Sequence, residues 1–497
     1  MAEKQMQKLA KETAIYGISS ILGKFLNWLL VPLYTYVLTG SADYGVVANL
    51  YAWTALLLVV LTYGMETGFF RFANKHSDIS NKVYGNTLMS VGFTSLIFAV
   101  LCVVFSQQIA DALGYSAHPE YISMLGIVVA MDAFGSIPFA YLRFKSRPIK
   151  FAALKLLMIF TNIIFNIFFL VVCPILMDKA PGLIDWFYDP HYGVGYVFVA
   201  NVIQTAVVTL TLLPEAFKAE FSLDVKLLKQ ILKYSLPLLV LGVAGIMNQT
   251  LDKIIFPFLF DDPMKAQSEL GIYSACFKIS MVMMMFTQAF RYAYEPFIFA
   301  QHKDKNSKEA YADAMKFFII FSLLIFLGIV FYLDIFKYAI REDYWAGLRV
   351  IPIVLFSYIF QGVFFNLSLW YKLTEQTMYG AWFSVVGAVI TVVINVVFVP
   401  VYSYMASAWA AFTCYFVMMI LSYFYGQKHM PIKYNLKSIG IYSILALVLF
   451  FVSMFVNTPY LILNLVIKTF LLIIFLVYLV KTDLPLNRIP VINRFVK

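Results

Sequence analysis

The residues able to do chemistry in this chain are ionisable side chains set in, or at the ends of, long apolar runs. They are Lys24, Glu66, Arg71, Asp132, Asp252, Lys253, Lys278, Arg291 and Glu295. An ionised group at mid-bilayer costs about 2.5–3.5 kcal/mol on insertion scales, so each needs a ligand, a partner or a water-filled cavity. What such groups offer is electrostatic recognition rather than bond making. The five histidines stand singly, and Cys102, Cys173, Cys276 and Cys414 lie far apart within apolar segments, which is neither a metal pattern nor a disulfide framework. GISSILGKF (17–25) is a near miss to a phosphate loop: five residues separate its glycines, and no Ser or Thr follows Lys24. No Ser–His–Asp arrangement can be argued. The expectation is therefore no catalytic residue, no metal and no cofactor.

Lys24 shares a helical face with Gly17, Ser20 and Asn27, which suits a flexible point charge facing an anionic diphosphate. The competing reading is a structural pair with Asp132, or snorkelling to the surface. Gly271, Ser274, Lys278, Met281, Met285, Gln288, Tyr292 and Glu295 form one stripe of a second helix, a polar face threaded with adaptable Met side chains. Arg291 and Glu295 stand at i, i+4 and are placed to pair. Glu66 is expected to pair with Arg71, so that the two acids hold a gate at the cytoplasmic mouth. Asp252 and Lys253 are adjacent and point about 100° apart on a helix, so they are not expected to face one spot. Asp132 reads as a proton or cation coupling residue, or as the buried partner of Lys24 or Lys155. Lys155 and Lys468 read as snorkelling or lobe-packing residues.

These charges need elements to position them. The chain is 62% hydrophobic and only 13% charged over 497 residues, against roughly 45–50% and about 25% in soluble domains. Fourteen apolar runs are long enough to span a bilayer: 14–38, 44–68, 83–105, 120–142, 151–176, 193–214, 235–259, 270–299, 313–336, 349–371, 379–400, 405–426, 438–456 and 461–480. Backbone groups in lipid must bond internally, so uniformly apolar runs of this length become helices. Alternate connections are basic, as in RFKSRPIK (143–150), and the others are acidic or neutral, with Asp43, Asp111, Asp185, Asp261 and Asp262. This regularity predicts a multi-pass protein with both termini in the cytoplasm. It also accounts for the net charge of +10 without any nucleic-acid partner. The stretch 215–234 has apolar positions at helical spacing between lysines and reads as a cytoplasmic amphipathic linker helix.

The chain also repeats itself. At an offset of 225, Gly17, Ser20, Lys24, Asn27 and Pro32 fall on Gly242, Gly245, Gln249, Asp252 and Pro257. One residue further in offset, Gly45 falls on Gly271. The expected organisation is a six-helix lobe (1–214), the linker (215–234), a second six-helix lobe (235–426) and two extra helices with a tail (427–497). Gly17 is expected near Gly242 across a shared axis.

KETAIYGISSILGKFLNWLLVPLYTYVLTGSADYGVVANL (11–50) and its echo in the seventh and eighth runs resemble the multidrug/oligosaccharidyl-lipid/polysaccharide flippase superfamily. A small-residue helix, a Pro-Leu-Tyr stretch, a short acidic turn and then Tyr-Gly is the pattern of its polysaccharide (O-antigen, Wzx-type) branch. The resemblance implies an all-α membrane fold of about 14 helices, with two lobes around a central cavity lined by helices 1, 2, 7 and 8. It implies alternating access and a cargo of undecaprenyl-diphosphate-linked oligosaccharide in a bacterial cytoplasmic membrane. The implied substrate-binding residues are Lys24, Asn27, Gln249, Asp252, Lys253, Lys278 and Arg291. Glu66, Arg71, Asp132 and Glu295 are gate or coupling candidates. The partners implied are that lipid, membrane lipids and polysaccharide-assembly proteins. A cation-coupled multidrug exporter of the same superfamily is the alternative. A membrane polymerase or ligase would need a large external loop with catalytic Arg or His, and none is present.

Overall fold

The computed structural model describes residues 17, 21–301, 307–456 and 458–484. Each of the fourteen apolar runs carries a helix. We number them α1 (Ile21–Val37), α2 (Ser41–Lys75), α3 (Ser77–Val104), α4 (Pro119–Phe144), α5 (Pro148–Lys179), α6 (Gly195–Ala216), α7 (Val225–Leu259), α8 (Pro263–Tyr292), α9 (Lys308–Phe331), α10 (Glu342–Leu373), α11 (Met378–Tyr402), α12 (Tyr404–His429), α13 (Leu436–Met454) and α14 (Leu461–Thr482). Thirteen are long and apolar enough to cross a membrane, and α1, over the described residues, is a shorter apolar helix. Phe93, Leu96, Ile164, Val393, Val397, Val448 and Phe470 are exposed on their outer faces, a surface that needs lipid as its solvent.

The helices pack as two lobes, with α3, α4, α5 and α6 in one and α10, α11 and α12 in the other. The lobes meet chiefly where α2 packs against α8 and α7. Near the start of α2 and α8 the backbones almost touch. A Cβ on Gly45 would lie 1.9 Å from the Gln267 carbonyl oxygen, and one on Gly271 would lie 1.8 Å from that of Ser41. Ser41 and Gln267 are themselves repeat mates at the offset that pairs Gly45 with Gly271. The contact is therefore reciprocal, as a two-fold axis between matched halves requires.

The predicted partnership of Gly17 with Gly242 is not found. Gly17 lies against the Tyr292 ring and Gly242 against Val59. The small faces of α1 and α7 each admit the second helix of the opposite lobe, α8 and α2, rather than each other. The reciprocal contact places the axis between α2 and α8.

The amphipathic stretch also differs from expectation. Residues 217–224 are a non-helical strap that begins with a turn, and a single helix runs from Val225 to Ile255. Asp224 caps that helix, its side chain accepting from the backbone N–H groups of Lys226 and Leu227. Leu227 and Ile231 are buried with Phe69, Phe72 and Tyr84. The stripe thus closes a lobe core at Leu227 and Ile231, while Phe221, Leu223 and Val225 stay exposed. The strap is pinned to α3, where Asn86 donates to the Ser222 carbonyl (2.9 Å) and accepts from the Asp224 N–H (2.8 Å). The Leu227 N–H and the nearby Lys82 ammonium hold the Asp224 carboxyl below the usual carboxylate range. At the same end Glu215, its side chain buried, gathers Lys150 (2.5 Å), Lys218 (2.7 Å) and Arg147 (3.6 Å).

Helices α13 and α14 lean on α9. Lys468 bonds Asp334 at 2.8 Å, and Asp483 receives Lys316 (2.9 Å) and the Tyr442 hydroxyl (2.8 Å). Lys468 is thus a packing residue. We call the end with the lysine-rich connections the basic end and the opposite one the acidic end.

Candidate functional site

A cavity of about 530 Å³ lies between the lobes. As the resemblance implied, α1, α2, α7 and α8 line it, through Asn27, Tyr34, Tyr44, Tyr51, Gln249, Asp252, Lys253 and Lys278. Further walls come from Asp132 of α4, Asn162 of α5, Gln204 of α6, Tyr358 of α10 and Tyr415 of α12. These last positions are not marked by the repeat. Asp132 was singled out from the sequence as an acid in an apolar run; for Asn162 and Gln204 the available signal was an amide in such a run, since such a group must find a partner or a cavity.

Of the predicted residues, Asn27, Gln249, Asp252, Lys253, Lys278 and Asp132 reach this cavity, while Lys24, Arg291, Glu66 and Arg71 do not. The side chain of Glu295 lies outside the described residues. Lys24 sits toward the basic end, where its ammonium donates to the Gln288 side-chain oxygen. Gln288 in turn donates to the Tyr292 hydroxyl at 3.1 Å. Lys24 does not pair with Asp132; the positive charge of Lys155 is the one acting on that carboxylate. The Lys155 ammonium itself rests over the Phe139 ring, 4.2 Å from its centroid. Arg291 stands over Phe365 at 5.5 Å.

One expected pairing and one expected separation are corrected. Glu66 pairs with Arg143 of α4 and not with Arg71. Arg71 stacks on Tyr234 at 4.1 Å, where a planar guanidinium matches an aromatic face. The adjacent Asp252 and Lys253 do share one spot. The Lys253 ammonium returns to the Asp252 carboxylate at 3.1 Å, and the Tyr273 hydroxyl donates to the same oxygen at 2.8 Å. Their Cβ atoms diverge as helix geometry demands, but a four-carbon stem is long enough to fold back, and the ammonium packs over Phe277 at 4.0 Å. Asp252 is therefore neutralised inside the wall.

Lys278 differs from both. Its backbone carbonyl accepts from the Trp28 indole at 2.8 Å, tying α8 to α1. Among the described residues no carboxylate comes within ion-pair distance of its ammonium. The cavity thus presents a cation without a counter-ion among the described residues, beside a neutralised Asp252–Lys253 pair, with tyrosines and amides around them. Such a wall can hold an anion and hydrogen-bond a polar ligand.

No curated protein sequence matches the chain. Solved structures do. The chain is similar to "Lipid II flippase MurJ, inward closed conformation", with a TM-score of 0.73 and 13% identity, covering 94% of this chain and 99% of that one. It is similar to "Crystal structure of MATE in complex with MaD3S", with a TM-score of 0.59 and 13% identity over 84% of this chain and 95% of that one. A transporter of the MOP superfamily from Pyrococcus furiosus gives a TM-score of 0.53 and 12% identity, with 84% and 95% covered. At such identities the likeness establishes the fold, that of transporters and flippases. A family model described as MatE matches residues 263–397. Another, described as polysaccharide biosynthesis protein, matches residues 9–299, more than half of the chain and every helix from α1 to α8. The chain therefore belongs to the polysaccharide biosynthesis protein family, within the multidrug/oligosaccharidyl-lipid/polysaccharide flippase superfamily.

Proposed function

We propose that this multi-pass membrane protein flips an undecaprenyl-diphosphate-linked oligosaccharide across the bacterial cytoplasmic membrane by alternating access, with both termini in the cytoplasm. The observation that carries this reading is Lys278, a cavity-wall cation with no carboxylate partner among the described residues. A diphosphate entering a low-dielectric space needs such a charge, because unpaired ions there cost several kcal/mol each. Glu66 and Asp252, which would repel the cargo if free, are tied to Arg143 and Lys253. Lys24 and Arg291, toward the basic end, supply charge on the path from the cytoplasm, and Asn27 and Gln249 supply hydrogen bonds to the head group. The isoprenoid tail stays in lipid, and no bond is made or broken.

The test is complementation of a flippase-deficient strain with Lys24→Ala, Lys278→Ala and the double variant at matched expression. Each cation is worth about 1.5–3 kcal/mol to a charged ligand, so each single variant should lose roughly tenfold or more in export. A double variant that exports surface polysaccharide at the normal rate defeats the reading. One observation favours a cation-coupled exporter instead: Asp132 lines the cavity with no hydrogen bond or ion pair among the described residues. Under that reading Lys278→Ala should leave export of an amphipathic cation intact or raise it.

Orientation has its own test. Cysteines introduced at Lys145 and Asn435 should be labelled only from the cytoplasm, and those at Asp185 and Asp262 only from outside. Labelling of positions 145 and 185 from one side would refute the topology.

A further inference from the structure

The acidic end holds a set of bonds that the cavity does not explain. The segment that joins α9 to α10, with the first turn of α10, reaches over the turn between α1 and α2, in the opposite lobe. Arg341 donates from Nη1 to the Leu38 carbonyl (3.0 Å) and from Nη2 to the Thr39 carbonyl (3.3 Å). The Tyr344 hydroxyl donates to the Gly40 carbonyl at 3.3 Å, and Tyr36 returns a bond to the Tyr338 carbonyl at 3.0 Å. Asp343 orients the guanidinium at 2.7 Å. Leu38 and Thr39 follow the last turn of α1, where carbonyls lack helical partners and the helix dipole is negative. A guanidinium fork from the other lobe matches those acceptors in both charge and geometry.

The same segment reaches the cavity. The Tyr344 ring stands edge-on to Tyr44, centroid to centroid 6.2 Å, and Tyr44 is a cavity wall. Beside it Ser41 Oγ and Ser268 Oγ are 2.6 Å apart across the lobe boundary, next to the glycine crossing of α2 and α8. These contacts all join the two lobes at one end, and none spans the basic end.

We propose that Arg341 is the latch of an acidic-end gate, a positioning residue that caps α1 from the opposite lobe and sets how often the cavity opens there. The proposal rests on the alternating-access reading above, but not on the identity of the cargo. Arg341 touches no cargo; it acts through the α1–α2 turn, which carries Ser41, Tyr44 and Gly45 into the seam. While its two bonds hold, that turn is fixed against the α9–α10 segment. When they break, the turn keeps only the weaker Tyr344 and Tyr36 bonds to that segment, and the acidic ends of α1 and α2 part from the second lobe more often.

The test follows a reporter, Ala48→Cys on the cavity wall, labelled by a membrane-impermeant maleimide applied to the acidic-end side. The label is read on the reporter peptide by mass spectrometry. Losing two charge-assisted hydrogen bonds should raise the labelling rate of Arg341→Ala by about tenfold. Arg341→Lys, which keeps the charge and one donor, should fall between; it also serves if the alanine variant does not fold. A merely structural arginine would change yield or melting temperature but not this sided rate. In parallel, Ser41→Cys with Ser268→Cys should form a disulfide that abolishes reporter labelling until reductant is added. If the disulfide blocks labelling but both Arg341 variants label at the parent rate, the latch is wrong while alternating access stands. If labelling continues through the disulfide, the alternating-access reading fails and takes the latch with it.

Discussion

Alanine at position 45 or 271 is expected to abolish transport and lower the melting temperature in detergent, although alanine is among the mildest substitutions for a helical glycine elsewhere. The added Cβ would lie 1.9 Å from the Gln267 oxygen or 1.8 Å from the Ser41 oxygen. Both obstacles are backbone carbonyls held in helices, so no rotamer change relieves the overlap, and α2 and α8 must separate. Overpacking of a tight core costs typically 1–3 kcal/mol, and a clash with fixed backbone at the seam between lobes belongs at or above the top of that range. Because the contact is reciprocal, either glycine alone should produce the defect, and the double variant should cost less than the sum: once the helices have parted for one methyl, the second finds room. Gly440→Ala, where nothing lies within 4 Å of the added carbon, is the matched control and should behave as the parent does. Normal transport and melting by Gly271→Ala would show that the two backbones do not approach as described.

The second large effect is expected at Asp252. Its side chain is 8% exposed and that of Lys253 is 12% exposed, so Asp252→Ala strands an ammonium among Tyr273 and Phe277 with no counter-ion. Breaking a buried pair from one side costs about 3–5 kcal/mol, whereas replacing both partners by apolar groups is often neutral. Asp252→Ala should therefore melt well below the parent, and Asp252→Ala with Lys253→Met should recover most of that loss. The order of the two melting temperatures decides the matter. If the double variant is no more stable than the single one, Lys253 is not held by Asp252, and the neutralised wall described here is wrong. Export separates stability from function, since the recovered double variant should still present Lys278 to the cavity and should keep part of its activity.

The features legible before folding are those set by short-range physics. The length of an apolar run decides whether it spans lipid, and so all fourteen runs carry helices. The spacing of small residues along one helix marks a face of close approach, and so Gly45 and Gly271 were legible as mates before their reciprocal contact was seen. The apolar stripe around Leu227 and Ile231 was legible as a helical face, but not what it would cover, because burial in a lobe core and burial in a membrane surface demand the same spacing. Long charged side chains were the least legible. A lysine or arginine head can reach any acceptor within several ångströms of its stem, and that acceptor need not be near in sequence. Glu66 found Arg143 at a separation of 77 residues in place of the nearby Arg71, and Lys24 found Gln288 at 264 in place of Asp132. Lys253 turned back to Asp252 against the divergence of their Cβ atoms. Only the packing of the lobes decided which cations were satisfied within the protein and which, like Lys278, were left facing the cavity. That selection depends on where a dozen helices come to rest against one another, and no local pattern encodes it.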